Sequence, residues 1–114
     1  MIIYTDGSPK HVAYMINGIP YVEKIEFSTN FEAEYKSIIA AMHKLGILYP
    51  IESPITILND NAVVIAQLKG QAKVRAENLI PLYNTVKMLR NSFHGKVYFD
   101  WVGRKQNPAG RILE

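Results

Sequence analysis

The sequence predicts an α/β domain with a mixed sheet, and three observations lead to that class. Short apolar and β-branched runs near the start are separated by turn residues, which is typical of hairpin-linked strands. Segments with apolar residues at helical spacing then alternate with further strand signals, which favours parallel crossovers. The 114 residues, 48% of them hydrophobic and none of them cysteine, suit a single domain, 1–114, without disulfides or cysteine-bound zinc.

The first 27 residues predict three strands. Apolar residues cluster in three runs: Ile2–Tyr4, Val12–Ile16 and Tyr21–Phe27. The dipeptide Asn17-Gly18 lies between the second and third runs and is typical of a tight hairpin turn. We therefore expect an antiparallel unit at the start of the sheet.

A long helix is predicted next. Thr29 and Glu32 have the spacing of a capping box, which marks a helix start. From Phe31 to Leu45 apolar residues recur at helical spacing, and Gly46 ends the pattern. This segment should pack one apolar face on the sheet.

The next segments repeat the order strand then helix. After a connector over 46–54, the run Ile55–Leu58 predicts a strand. A short buried helix is expected over Ala62–Leu68, ending before Gly70. A strand followed by a helix indicates a parallel crossover.

The last third predicts two more helices and a strand. One helix starts at Leu79, with Asn78 as its cap and Pro81 in its first turn. Val97–Val102 predicts the final strand, and the residues from 107 to the end predict a helix of about two turns. We expect three large side chains in these and the preceding segments to lie in the core: Met42, Met88 and Trp101.

Three carboxylates stand where such a fold brings residues together. Asp6 and Asp60 each follow an apolar strand, at the carboxyl end where open α/β sheets bind ligands. Glu34 lies at the edge of the apolar stripe of its helix and can point toward the same ends. Three converging carboxylates would repel one another unless a hard cation such as Mg²⁺ neutralised them. Taken singly, each also fits a turn, a helix cap or a solvated helix face.

Charge and hydropathy limit the partners. Residues 1–57 carry four basic and six acidic side chains, net −2, and residues 58–114 carry nine and four, net +5. This asymmetry permits a half that binds a polyanion, although a solvated face has the same composition. No apolar run approaches about 18 residues and no signal-like leader precedes the first motif. We therefore expect a cytoplasmic protein without membrane contact, and nothing demands more than a monomer.

The segments around the three carboxylates resemble motifs of the type 1 ribonuclease H family. Residues 4–8 resemble its opening motif, and residues 29–35 resemble the helix that bears its catalytic glutamate. The pair Asp60-Asn61 is similar to its second aspartate motif. Further segments resemble compact bacterial and archaeal members: Gln67–Gly70, Lys73–Arg75 with Asn78-Leu79, and Trp101–Asn107 with Ala109. The resemblance covers essentially the whole chain.

This resemblance implies a ribonuclease H-like fold, a five-stranded mixed sheet in the order 3-2-1-4-5 with strand 2 antiparallel, flanked by helices. It implies a metal-dependent endoribonuclease that hydrolyses the RNA strand of RNA/DNA hybrids with two Mg²⁺ or Mn²⁺ ions. By the same resemblance Asp6 would bridge both ions, and Glu34 and Asp60 would each help to hold one. Paired cations can activate a water and stabilise the leaving oxygen of an in-line displacement.

The chain departs from the family at two points. Gly110 stands where the family has an aspartate, so the fourth carboxylate of the metal site is missing. Glu114, four residues on and on the same helical face, is a candidate substitute. Residues 103–106 contain no histidine, although the family often has one in this loop. We expect a slow enzyme; the alternatives are a catalytically impaired nucleic-acid-binding module and a nuclease that prefers structured DNA.

Substrate contacts are predicted at polar and basic positions. Asn30 corresponds to a family position that touches the minor groove of the hybrid, where 2′-hydroxyls distinguish RNA from DNA, although it also fits a helix cap. Asn61 is, like Asn30, expected to bind the substrate. Five cations are expected to track phosphates, with a solvated face as the alternative: Lys69, Lys73, Arg75, Arg104 and Lys105. The histidines have no ligand spacing and are expected to be structural or exposed: His11, His43 and His94.

Overall fold

The computed structural model describes residues 1–48, 54–93 and 96–114. In these ranges the strands are β1 (Ile2–Gly7), β2 (His11–Ile16), β3 (Ile19–Lys24), β4 (Ile55–Asn59) and β5 (Val97–Trp101). The α-helices are α1 (Asn30–Leu48), α2 (Ala62–Leu68), α3 (Ile80–Ser92) and α4 (Pro108–Ile112), and a 3-10 helix spans Arg104–Gln106. Among the described residues no helix is long and apolar enough to cross a membrane.

The five strands form one mixed sheet in the order β3-β2-β1-β4-β5, which confirms the predicted order. β1 pairs antiparallel with β2, and β4 pairs parallel with both β1 and β5. In the β1–β4 register Thr5 lies opposite Asn59. Because β1 and β4 run in the same direction, the residues that follow them meet at one edge of the sheet.

The main core lies between one face of the sheet and the helices α1 and α3. Alternate strand residues such as Ile3, Tyr14 and Ile57 are fully buried on this face, as strand periodicity requires. α1 packs on β1, β2 and α3, with Ile38 and Met42 buried between them. The short helix α4 packs on the opposite face of β1 and β2. These contacts place the starts of α1 and α4 at the carboxyl end of β1.

The start of α1 is set by the predicted capping box. The Glu32 backbone N–H donates to the Thr29 hydroxyl at 3.2 Å, and the Thr29 N–H donates to the Glu32 carboxylate at 2.8 Å. The helix continues past Gly46 to Leu48, because a glycine in helical conformation weakens a helix without ending it. Residues 49–53 of the predicted connector lie outside the described residues.

Two other predicted boundaries are wrong. The third strand spans Ile19–Lys24 rather than Tyr21–Phe27, since the Ile25 N–H donates to the Lys10 carbonyl as the chain leaves the sheet. Helix α3 begins at Ile80 with Leu79 in the cap position and no side-chain cap, so Asn78 does not cap it. Pro81 does lie in the first turn, where its missing N–H leaves no helical bond unmade.

Two of the three predicted core residues are exposed. Met42 is fully buried, but Met88 is 72% exposed because it lies about 200° around α3 from the buried Val86. Trp101 is 54% exposed because it ends β5, an edge strand with a neighbour on one side only. The expectation that large apolar residues are internal therefore fails at the positions that the sheet and helix leave uncovered.

Candidate metal centre

Asp6, Glu34 and Asp60 meet at the carboxyl edge of the sheet. Asp6 lies in β1, Asp60 directly after β4, and Glu34 in the second turn of α1. Each offers a carboxylate oxygen, and these oxygens all lie within 4.8 Å of one another. They form the one group of three or more potential metal ligands in the described ranges. The convergence expected from neighbouring parallel strands is thus present.

Glu34 is held more tightly than the sequence suggested. Its helical position predicted a place between core and solvent, but its side chain is only 6% exposed. The Gly7 backbone N–H donates to Glu34 Oε1 at 2.8 Å, and Asn59 Nδ2 donates to the same oxygen at 3.2 Å. Gly7 is required here because a Cβ at this position would collide with the Ala33 carbonyl. The close approach of β1 to α1 therefore orients the carboxylate.

Two buried asparagines, which we did not single out as site residues, link the elements of the centre. Asn59 also donates to the Thr5 hydroxyl at 3.1 Å, and its Oδ1 accepts from the backbone N–H of Asn61 at 2.8 Å. Asn107 donates to the Thr5 carbonyl at 2.9 Å and to Asp60 Oδ2 at 3.3 Å. Their positions in the sequence could have identified them, since Asn59 immediately precedes Asp60 and Asn107 immediately precedes the first residue of α4.

Burial and mutual repulsion make the cluster reluctant to carry three negative charges. Burial, followed by the negative charge of Asp60, raises the pKa of Asp6 to about 6. Burial, followed by the negative charge of Asp6, raises the pKa of Glu34 to about 8. Burial and repulsion between the carboxylates thus both favour protonation of the metal-free cluster. A divalent cation would favour the fully ionised form, so three oxygen donors of this kind suit Mg²⁺ or Mn²⁺.

A cavity of about 680 Å³ opens beside the cluster. Asp6 and Asp60 line it together with Asn30 and the cations Arg104 and Lys105. Arg111, which the sequence analysis did not single out, lines it too; its Nη2 donates to the Lys105 carbonyl at 3.1 Å. The cavity therefore combines a carboxylate cluster with three cations, a composition suited to a phosphate ester bound through metal ions.

The other predicted substrate residues lie elsewhere. Asn61 is the N-cap of α2, and its side chain accepts from the N–H groups of Val63 and Val64 at 3.1 Å. Lys73 and Arg75 are exposed on the segment between α2 and α3 and do not line the cavity. Asn30 is the first residue of α1, since the cap is formed by the preceding threonine, and its side chain is left for other contacts.

Gly110 faces the carboxylates. A Cβ at this position would lie 3.4 Å from Asp6 Oδ2 and 4.0 Å from Asp60 Oδ2. A side chain at position 110 would therefore enter the cluster. Glu114 lines the same cavity and is exposed. That Glu114 replaces the missing fourth carboxylate as a metal ligand stays a prediction.

Neither of the two histidines that the structure describes contributes to the cluster. His11 and His43 are exposed, on β2 and α1. His94 lies outside the described residues. The expectation that the first two are surface residues agrees with their exposure.

Sequence comparison relates the chain to known proteins. A profile described as reverse transcriptase-like matches residues 19–113. The bifunctional protein Rv2228c of Mycobacterium tuberculosis is 31% identical over 80 residues, which cover 70% of this chain and 21% of that protein. The same match is found with an uncharacterised protein of Mycobacterium bovis. The chain thus spans about a fifth of the length of the curated relatives it matches.

Solved structures share the fold. LC11-RNase H1, solved in complex with an RNA/DNA hybrid, superposes with a TM-score of 0.87 at 18% identity over 99% of both chains. The N-terminal RNase H domain of Rv2228c from M. tuberculosis gives 0.81 at 25% identity over 97% of this chain and 88% of that one. RNase H1 of the archaeon Halobacterium salinarum gives 0.82 at 20% identity over 98% and 92%.

Proposed function

Since the chain belongs to the reverse transcriptase-like family and has a ribonuclease H-like fold, we propose that it is a metal-dependent endoribonuclease acting on RNA/DNA hybrids. The observation that carries the proposal is the convergence of three carboxylate oxygens within 4.8 Å beside a cavity that also presents cations. Three of the structural relatives are named as ribonuclease H domains or enzymes, and one of them was solved with an RNA/DNA hybrid.

Asp6, Glu34 and Asp60 are the residues that would hold the proposed Mg²⁺ or Mn²⁺ ions. When bound, such ions activate an attacking water and stabilise the leaving oxygen of an in-line phosphodiester displacement. The protein contributes rigidity, because N–H donors from Gly7 and Asn59 hold Glu34 in place before any cation arrives. The donor set fits hard divalent ions, since the repulsion between carboxylates that raises the pKa values of Asp6 and Glu34 would be offset by a bound cation.

The cavity wall is proposed to bind the substrate backbone. Arg104, Lys105 and Arg111 would contact phosphates, and the bond from Arg111 to the Lys105 carbonyl keeps two of these cations together. Asn30 would place its amide near a 2′-hydroxyl, the group that distinguishes the RNA strand. Lys73 and Arg75 would bind phosphates farther from the cavity. Asn61 would act mainly by capping the start of α2. The phosphate contacts make affinity fall with salt.

The test is cleavage of a labelled RNA/DNA hybrid by the purified chain with Mn²⁺ or Mg²⁺. Asp60→Asn should lower the rate at least about a hundredfold, since a proposed ligand loses its charge. Asp100→Asn is the matched control, because Asp100 is an exposed aspartate of the adjacent strand outside the cluster, and its rate should match that of the unmodified chain. Activity that survives Asp6→Asn combined with Asp60→Asn would refute the assignment.

Gly110 favours a second candidate function, a ribonuclease H-like module that binds hybrids without cutting them. The missing carboxylate leaves one side of the cluster open, where a Cβ would contact Asp6 and Asp60. This candidate predicts hybrid binding without cleavage under either divalent ion, and it predicts that Gly110→Asp creates activity. A panel of hybrid, double-stranded RNA and structured DNA separates both candidates from a nuclease with another substrate.

A further inference from the structure

The chain contains one tryptophan, and it is exposed next to the metal centre. Trp101 ends the edge strand β5 and is 54% exposed. Its indole Nε1 donates to the backbone carbonyl of Asp60 at 3.1 Å. A large aromatic ring is thus held by a hydrogen bond beside a proposed metal ligand, with about half of its surface exposed.

The ring also lies beside the basic wall of the cavity. A Cβ at Gly103 would come within 3.8 Å of the ring atom Cη2, so the indole borders the turn that leads into the 3-10 helix. Arg104 and Lys105 in that helix line the cavity, whereas Trp101 does not. The indole therefore lies just outside the cavity, bonded to the main chain of the proposed ligand Asp60 and bordering the turn that leads to Arg104 and Lys105.

We propose that Trp101 is a substrate-binding residue that stacks on a nucleoside next to the phosphate bound at the metal centre. The inference rests on the proposed function and adds a subsite to it. Bases and sugars of nucleic acids pack on exposed aromatic rings whatever their sequence, and the π-face of indole is large. The bond to Asp60 fixes the ring before binding, which reduces the entropy lost when the substrate is bound.

A purely structural role makes a different prediction. If Trp101 acts only through its N–H, by holding the Asp60 main chain, Trp101→Phe should weaken Mn²⁺ binding as much as Trp101→Leu does. If it acts by stacking, Trp101→Phe should keep most of the hybrid affinity, because the aromatic face remains. The two variants therefore separate the ring from its hydrogen bond.

Hybrid affinity is measured in an Asp6→Asn background, which prevents cleavage. We expect Trp101→Leu to weaken binding about tenfold and Trp101→Phe to weaken it about twofold or less. Tyr98→Leu is the matched control, since Tyr98 is equally exposed at 54% in the same strand and lies on the opposite face. It should bind as the Asp6→Asn parent does. The loss in Trp101→Leu should be the same at every salt concentration, because no phosphate contact is removed.

Indole emission gives a second readout, as the chain has a single tryptophan. Stacking should quench it on hybrid addition, with the same Kd as the binding assay. The inference would be overturned if Trp101→Leu and Tyr98→Leu bound the hybrid with equal affinity. It would also be overturned if Trp101→Phe bound the hybrid as weakly as Trp101→Leu and both had lost Mn²⁺ affinity. In those cases hybrid binding and cleavage by the unmodified chain would leave the proposed function standing, whereas a chain that neither binds nor cuts hybrids would refute both.

Discussion

Gly110→Asp tests whether position 110 belongs to the metal centre. A Cβ there lies 3.4 Å from Asp6 Oδ2 and 4.0 Å from Asp60 Oδ2, so the new carboxylate adds a like charge to the cluster. Two unit charges about 4 Å apart repel by about 4 kcal/mol at an effective dielectric constant of 20 and by about 1 kcal/mol in water. The cavity is open to solvent, so we expect a loss of about 1–3 kcal/mol without metal, or about 5–15 °C in Tm.

Thermal denaturation followed by circular dichroism, in EDTA and in Mn²⁺, measures this effect. Gly110→Asp should denature earlier than the unmodified chain in EDTA, and Mn²⁺ should raise its Tm by more, because the fourth carboxylate strengthens cation binding. Gly110→Asn controls for size without charge. Gly110→Ala should be neutral or slightly stabilising, since its methyl makes ordinary contacts and alanine favours a helix. Identical Tm values for the aspartate and asparagine variants in EDTA, with equal Mn²⁺ shifts, would refute the reasoning.

Four further predictions follow from the geometry of the site and of α1. Burial raises the pKa of Glu34 to about 8, so Mn²⁺ binding should release a proton, and Mn²⁺ affinity should rise between about pH 5 and 8. Calorimetry in buffers of different ionisation heat detects the released proton, and an Mn²⁺ affinity that does not change with pH contradicts the prediction. Because the folded state binds that proton more tightly than the unfolded state, the contribution of Glu34 to metal-free stability should be largest below about pH 4.5 and be lost as pH rises through 8, measurable as the difference in urea midpoint between the unmodified chain and Glu34→Gln. Gly7→Ala should lower Tm by more than about 10 °C or prevent folding, since its Cβ meets the Ala33 carbonyl, whereas Gly46→Ala, with nothing within 4 Å, should not. Thr29→Ala should cost about 1 kcal/mol in chemical denaturation, and an unchanged midpoint would show that the capping box adds nothing.

Features that depend on neighbours in sequence were predictable. The capping box at the start of α1 forms as its spacing indicates, because both of its hydrogen bonds join residues three apart. Asn17 and Gly18 adopt positive φ values of 51° and 76° in the hairpin turn, as those residue types favour. The strand and helix order was predictable for the same reason, and the resemblance to a known family supplied the order of the strands.

Features that depend on distant packing were not predictable. Trp101 and Met88 have the apolar character of core residues, but the sheet edge and the outer side of α3 leave them exposed. Asn107 was recognisable as a helix start, yet its bonds to Thr5 and Asp60 join residues 102 and 47 positions apart. No periodicity records such contacts, because they arise only when separate elements pack together.

The sequence by itself determined which residue types stand at or after the strand ends, and this placed Asp6 and Asp60 at candidate positions and left position 110 without a carboxyl group. Only the tertiary structure decided how close the carboxylates come, how deeply Glu34 is buried and that position 110 faces the cluster. The reason is physical. Residue type and local conformation are properties of short segments, whereas distances and burial, and hence pKa values and metal affinity, depend on how segments far apart in the chain pack against one another.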